Sequence, residues 1–312
     1  MPPQPSRAEV NVDGKTLSLS NLDKPLYPTG FTKGQVVDYY VRVAPALLPH
    51  TRGRPMTLKR YPNGVDGESF YEKNCPGHRP PWVETAPVTF SPGDGGGRSG
   101  KAIQFCVIDD LPTLVWTANL AAIELHPTLS HAVDINRPTS VVFDLDPGPP
   151  ADVVDCARVA MLLEEALDHL GLASVIKTSG SKGLQLYVPL NTEVDYRAGT
   201  QPFSLALAQL LERQHPDAIV TQQRKDLRPG KVLIDWSQNT ASKSTVSVYS
   251  LRARAAPTVS TPVTWDEVDD VAASGDADAL VFETDDVLER VGRMGDLFAP
   301  LLDVEQELPK LA

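Results

Sequence analysis

Apolar residues recur along this chain in two rhythms, every third or fourth position and every second, and the changes between them lay out the elements. From Thr32 the spacing is helical, with Val36, Val37, Tyr40, Val43 and Leu47 on one face, after a short strand and a proline-rich loop. "PMTLKRYPNGVDGESFYEK" reads as strand, Asn-Gly turn, strand. These stretches predict a small N-terminal platform.

"LPTLVWTANLAAIELHP" predicts one largely apolar helix ending at Pro127, with His126 near the last carbonyls, and "ADVVDCARVAMLLEEALDHLG" predicts a second helix closed by Gly171. Between them, "SVVFDLDPGPP" predicts a strand that ends in Asp144 and Asp146. "ASVIKTSGSKGLQLYVPL" predicts two strands around a Gly/Ser/Lys turn, followed by a helix near 201–213 and the strand "KVLIDWSQ". The order strand, helix, hairpin, helix, strand suits an α+β core. Neither an internal repeat nor a long low-complexity linker marks a boundary, so one compound domain over 1–312 is expected. Within it the platform occupies about 1–105, the core about 106–255 and an acidic helical part about 256–312.

With 312 residues, 41 % hydrophobic and 22 % charged, the chain can bury a full core. No apolar run approaches the roughly 20 residues that span a bilayer, and "MPPQPSRAEV" lacks the regions of a signal peptide. No membrane partner and a cytoplasmic location are the expectations. Cys75, Cys106 and Cys156 are odd in number, widely spaced and without a CxxC pair, which predicts reduced thiols. Cys75 and His78 are spaced like half a zinc site, but no second pair of ligands follows.

The net charge of -11 counts against a nucleic-acid partner until its distribution is read. Residues 1–80 carry 11 Lys/Arg against 7 Asp/Glu, and residues 224–254 carry seven bases against two acids. Residues 264–307 hold 14 acids and two bases, a pattern that suits a solvated helical face. The basic surface is therefore concentrated around the candidate chemistry.

That chemistry starts with Asp144 and Asp146. In a strand they share a face about 6.6 Å apart, from a rise of about 3.3 Å per residue. Read alone, the pair is a solvent-exposed strand end. Paired carboxylates resist ionising together unless a cation offsets them, and all-oxygen ligands suit Mg²⁺ or Mn²⁺. Asp235 ends another apolar run, and an adjacent strand would bring it beside the pair. Three such carboxylates can hold two metals about 3.5 to 4 Å apart, an arrangement suited to nucleotidyl transfer. "TSGSKG" adds glycines, the hydroxyls of Ser179 and Ser181 and the cation of Lys182, all compatible with a phosphate. "GGGRSGKA" at 95–102 satisfies GxxxxGK but has Ala102 where Ser or Thr should bind Mg²⁺, and "AIQFCVI" after it is β-like, so it reads as a flexible loop.

The set "LDKPLYP", "LKRYPNG", "FYEK", "AAIELHP", "VFDLDPG", "TSGSKGLQLYVPL", "GKVLIDWSQN" and "YSLRAR" resembles the polymerase domain of bacterial DNA ligase D, of the archaeo-eukaryotic primase superfamily. It is similar to the stand-alone primase-polymerase C or D form known from actinobacteria, with no ligase or nuclease segment expected. The resemblance implies an archaeo-eukaryotic primase-like core, with a sheet related to the RNA-recognition fold and a packed N-terminal element. It implies template-directed addition of nucleotides, ribonucleotides preferred, with two ions of Mn²⁺ or Mg²⁺ on Asp144, Asp146 and Asp235.

It further implies that Ser179, Lys182, Arg228, Gln238 and Arg252 hold the incoming triphosphate and that His126 contacts the nucleotide. Lys24 and Lys33 match the pair that grips a 5′-phosphate across a gap or broken end; read alone they are solvated lysines. Phe70 and Tyr71 match the pair that packs on the template strand, although by residue type they read as core. Gln185 departs from the family, where many members have His in "GLHLY". The partners implied are gapped or broken DNA with a 5′-phosphate, NTPs or dNTPs, a separate ATP-dependent DNA ligase and the end-binding Ku protein, and the chain is expected to be a monomer. The competing classes are a primase making short primers de novo, a metal-dependent phosphohydrolase, a non-catalytic DNA-end bridging module and a DxD glycosyltransferase.

Overall fold

The computed structural model describes residues 7–90 and 101–309. In chain order the elements are β1 (Arg7–Val12), β2 (Lys15–Ser20), α1 (Lys33–Thr51), β3 (Pro55–Arg60), β4 (Phe70–Glu72), β5 (Thr85–Val88), β6 (Ile103–Val107), α2 (Leu111–Asn119) and β7 (Ala122–Pro127). They continue as β8 (Ser140–Pro147), α3 (Val153–His169), β9 (Val175–Thr178), β10 (Leu184–Pro189), α4 (Gln201–Gln214), β11 (Ile219–Val220), β12 (Val232–Asp235), β13 (Pro262–Val263), α5 (Trp265–Ser274), α6 (Thr284–Met294) and α7 (Pro300–Asp303). Mixed helix and sheet make this the expected α+β fold.

The strands form two main sheets, one of order β4-β3-β6-β5 with β7 also on β3, and one of order β11-β12-β8-β10-β9-β13. In the second, period-2 alternation divides the apolar residues between two cores. Val141, Phe143, Leu145, Leu184, Leu186 and Ile234 pack with the apolar faces of α3 and α4. Val142 and Tyr187, on the opposite face, join the core of the N-terminal half beside Leu58, Ile123 and Leu125. Asp144, Asp146 and Gln185 belong to that second face by the same alternation, so the candidate site lies between the two sheets.

Several expectations hold. Thr32 caps α1 by accepting from the Gln35 N–H, and Val36, Val37, Tyr40, Val43 and Leu47 are all buried. β3 and β4 pair antiparallel, although residues 61–69 form a longer connection than a two-residue turn. The phosphate-loop candidate falls mostly on residues 91–100, outside those described, and the segment after it is strand β6.

Two expectations are overturned. Residues 111–127 are a short helix and then a strand, with the reversal at Ala121, whose φ is 57°. An all-apolar run suits a buried helix and a central strand equally, and pairing of β7 with β3 decides between them. His126 therefore caps no helix. The cysteines are not all free: Cys75 and Cys106 are disulfide-bonded, and only Cys156 is a buried thiol. The Cys75 N–H donates to the carbonyl of Gln104, laying the loop after β4 along β6. That apposition of residues 31 positions apart has no counterpart in cysteine spacing.

Candidate functional site

β8 and β12 run antiparallel in a register that sets Asp144 directly opposite Asp235 and Asp146 opposite Leu233. The three aspartates thus occupy neighbouring positions on two paired strands. Asp144 is half-buried, Asp146 exposed and Asp235 buried. Asp144 Oδ1 accepts a hydrogen bond from Gln185 Nε2 at 3.0 Å. Asp235 Oδ1 accepts from the Ser237 N–H (3.0 Å) and hydroxyl (2.5 Å), and its Oδ2 accepts from Gln238 Nε2 (2.8 Å). Among the described residues the Asp146 carboxylate accepts no hydrogen bond.

Burial and then the nearby Asp146 push the Asp144 carboxyl up to about 7, with Asp235 adding to the rise. Partial desolvation of its carboxylate at the cavity, and then Asp235, also raise Asp146, against the pull of Arg228, Arg252 and Lys182. Crowded carboxylates of this kind are the arrangement that a divalent cation relieves. The donors fit Mg²⁺ or Mn²⁺ in kind, being carboxylate oxygens with one carboxylate still unbonded. Among the described residues no three His, Cys, Asp or Glu side chains converge on one ion position, since Asp235 is turned onto the 235–238 segment.

A cavity of about 390 Å³ is lined by Asp144, Asp146, His126, Ser179, Gln238 and Arg252. With Tyr71, which also lines it, seven of the expected residues therefore meet in one place. Asp235 stands behind Asp144, and Lys182 and Arg228 stand outside the lining but near enough for their charges to act on Asp146. His126 Nε2 lies 3.0 Å from Glu124 Oε2. Glu124 is held well below the usual carboxylate range: its hydrogen bond from His126 and the charges of Arg252, His126 and Lys59 outweigh burial. As a carboxylate it only accepts, so His126 donates through Nε2. Burial, opposed by Glu124, lowers the His126 pKa and favours the neutral ring.

The turn between β9 and β10 departs from expectation in one respect. Its N–H groups at Ser181, Lys182 and Gly183 already point at Ser179 Oγ, at 3.2, 3.3 and 3.1 Å, so they are closed on the turn itself. The glycines are required by close approach: a Cβ on Gly183 would lie 1.9 Å from the Leu145 carbonyl oxygen, and Gly180 has φ +63°. Arg252 Nη1 donates to the Ser179 carbonyl at 2.6 Å, tying this turn to the segment that follows Ser250.

Lys33 is a buried side chain and Lys24 a half-buried one, and both ammonium groups are held by backbone carbonyls. The Lys33 N–H donates to the Lys24 carbonyl, Lys33 Nζ reaches the Ser20 carbonyl at 2.5 Å, and Lys24 Nζ reaches the Pro62 carbonyl at 2.6 Å. Burial, with Lys24 and Arg60 adding repulsion, lowers Lys33 to about 8. Among the described residues neither lysine has a carboxylate partner. Phe70 and Tyr71 are exposed at 45 % and 60 %, against their reading as core. Tyr71 stands edge-on to His126 with ring centroids 5.7 Å apart, at the mouth of the cavity.

Sequence reasoning missed Glu124, Lys73, Lys243 and Lys177. Glu124 lies two positions before His126, a spacing that signals a shared face only when the segment is read as a strand. Lys73 and Lys243 line the cavity, and Lys243 Nζ donates to Ser237 Oγ at 2.6 Å. Lys73 closes the FYEK motif but was given no role there, and none of the motifs contains Lys243.

The model of the LigD primase-polymerase domain matches residues 32–298. The chain belongs to the LigD primase-polymerase family. It is 41 % identical over 294 residues to the multifunctional non-homologous end joining DNA repair protein LigD of Mycobacterium tuberculosis, covering 91 % of this chain and 37 % of that protein. It is 30 % identical over 294 residues to the bifunctional non-homologous end joining protein LigD of Bacillus subtilis, covering 94 % and 45 %. The chain thus spans less than half the length of these LigD relatives. The polymerase domain of M. tuberculosis ligase D, solved in complex with DNA, superposes with a TM-score of 0.83 at 39 % identity, covering 93 % of this LigD-family chain and 99 % of that one.

Proposed function

We propose that this LigD-family chain is a DNA repair polymerase that extends a primer at short gaps or broken ends, taking ribonucleotides in preference to deoxyribonucleotides and recognising a downstream 5′-phosphate. The observation that carries the reading is the register that sets Asp235 opposite Asp144, at the wall of a cavity lined by His126, Ser179 and Arg252.

Asp144, Asp146 and Asp235 would hold Mg²⁺ or Mn²⁺, which supplies a lowered pKa at the attacking hydroxyl and charge neutralisation on the triphosphate. Arg252, Lys182 and Arg228 offset charge that develops on the phosphates in the transition state. His126, oriented by Glu124, contacts the nucleotide, and Ser179 positions its phosphates. Gln238, bonded to Asp235, links the carboxylates to the same nucleotide. Lys24 and Lys33, two neighbouring ammonium groups without carboxylate partners among the described residues, suit a phosphate dianion. Phe70 and Tyr71 offer exposed rings on which template bases can stack without regard to sequence. A ligase acting separately and the Ku protein would complete repair.

The decisive experiment is extension of a gapped duplex with NTPs or dNTPs, with and without the 5′-phosphate. Wild type should extend, favour NTPs and favour the phosphorylated gap, while Asp144→Ala with Asp146→Ala should make no product yet still bind the duplex. Synthesis by the double variant would refute the assignment. Phosphate release from nucleotide without primer or template would instead identify a phosphohydrolase.

A further inference from the structure

One row of residues crosses four neighbouring strands of the second sheet through the candidate site. Register places Lys177 of β9 opposite Gln185 of β10, Gln185 opposite Asp144 of β8, and Asp144 opposite Asp235 of β12. Opposed residues of an antiparallel pair project to the same face, so these four side chains stand in line. The contacts follow the row. Lys177 Nζ donates to Gln185 Oε1, and Gln185 Nε2 donates to Asp144 Oδ1 at 3.0 Å.

Lys177 is the unusual member. It is 1 % exposed, its second hydrogen bond goes to the neutral Ser260 hydroxyl at 2.7 Å, and among the described residues it has no ion-pair partner. A buried ammonium without a carboxylate costs several kcal/mol, and an apolar side chain of similar length would avoid that cost. The opposite charge it does feel is that of Asp144 across Gln185, with the Tyr187 ring 5.7 Å from its ammonium.

The reason for a lysine here lies in the amide it touches. A glutamine side chain has a donor end and an acceptor end of nearly equal size, and sterics alone do not choose between its two orientations. Here Lys177 Nζ donates to Oε1, which leaves Nε2 to donate to Asp144 Oδ1. An apolar residue at 177 would permit the reversed amide, with an acceptor set against an acceptor. We infer that Lys177 is a positioning residue of the polymerase centre: it fixes the polarity of the Gln185 amide, which in turn holds Asp144 Oδ1 and leaves the other oxygen of Asp144 to the metal. This rests on the reading of Asp144 as a ligand.

Partners that orient metal ligands typically carry tenfold to hundredfold effects on metal affinity or activity. The test is direct titration of Mn²⁺ into the full chain, followed by free-ion resonance, beside kcat and KM for NTP in gap extension. Lys177→Met should weaken Mn²⁺ binding and lower kcat by about tenfold or more, with KM for NTP changed less than about twofold. Gln185→Leu should do the same, and the double variant should lose no more than Gln185→Leu alone, because both act through one bond. Wild-type Mn²⁺ affinity in Lys177→Met, or a double variant losing the product of the two single losses, overturns the role. Where Lys177→Met is not recovered folded, Gln185→Leu decides alone, and wild-type Mn²⁺ affinity there overturns it. Asp144→Ala separates this inference from its premise. If that variant keeps Mn²⁺ binding and extension, the reading of the site fails; if it loses both while Lys177→Met loses neither, only the positioning role fails.

Discussion

Glu124 accepts from His126 Nε2 at 3.0 Å while lying 3.5 Å from Arg252 Nε, so one buried carboxylate holds two residues of the cavity wall. It also accepts from the Tyr61 hydroxyl at 3.0 Å and sits 3.7 Å from Lys59 Nζ. Removing the charged centre of such a cluster leaves cations unpaired, at a typical cost of about 3 to 5 kcal/mol. Glu124→Gln should therefore lower stability by about that amount in urea unfolding. It should also raise KM for NTP more than it lowers kcat, since His126 and Arg252 lose their orientation. Unchanged stability and KM together would show that the cluster organises neither residue.

Lys33 should make recognition of a 5′-phosphate depend on pH. Its folded-state pKa is lowered to about 8, chiefly by burial, so it is charged below that pH and neutral above it. Preference for a phosphorylated gap should be full at pH 7 and decline through pH 8 to 9. The same shift makes folding favour the neutral amine, so its contribution to stability improves as pH rises from about 8 towards the ordinary lysine value. Lys33→Arg keeps its charge throughout and should flatten the decline, as gap-filling assays across this range would reveal.

Phe70 and Tyr71 are exposed, so truncation should cost the fold little. Phe70→Ala with Tyr71→Ala should change unfolding free energy by under about 0.5 kcal/mol per site. Binding to a duplex with a single-stranded template should weaken by about 1 to 3 kcal/mol for each lost stack. Fluorescence anisotropy of labelled template DNA measures this, and undiminished affinity would remove the stacking role.

Asp144 predicts a stability slope in metal-free protein. Its carboxyl is pushed up to about 7, so the folded state binds a proton that the unfolded chain has already released between about pH 4 and 7. Stability falls across that window as pH rises, and the penalty is fully present above pH 7. Asp144→Asn should be more stable than wild type at pH 8 by about 1 to 3 kcal/mol without metal, and equal to it at pH 4. Thermal melts at the two pH values decide this, and Mn²⁺ should raise the wild-type melting temperature more than that of the variant.

Local patterns in the sequence were enough for much of this. The capped helix at Thr32, the strand ending in Asp144 and Asp146, the turn with Gly180 and Gly183, and the strand ending in Asp235 each depend on neighbours within a few residues. Alternation and capping are short-range effects, so one chain read in order displays them. Asp235 could be suspected as a third acid for the same reason.

Sheet pairing decided the rest, because it joins residues that no local rhythm relates. The run at 122–127 became a strand only because β3 lies beside it, and that change turned His126 and Glu124 onto one face. Cys75 and Cys106 met because β6 draws the loop after β4 alongside itself. The row from Lys177 to Asp235 exists only through three successive registers, in which a shift of one residue would send each side chain to the opposite face.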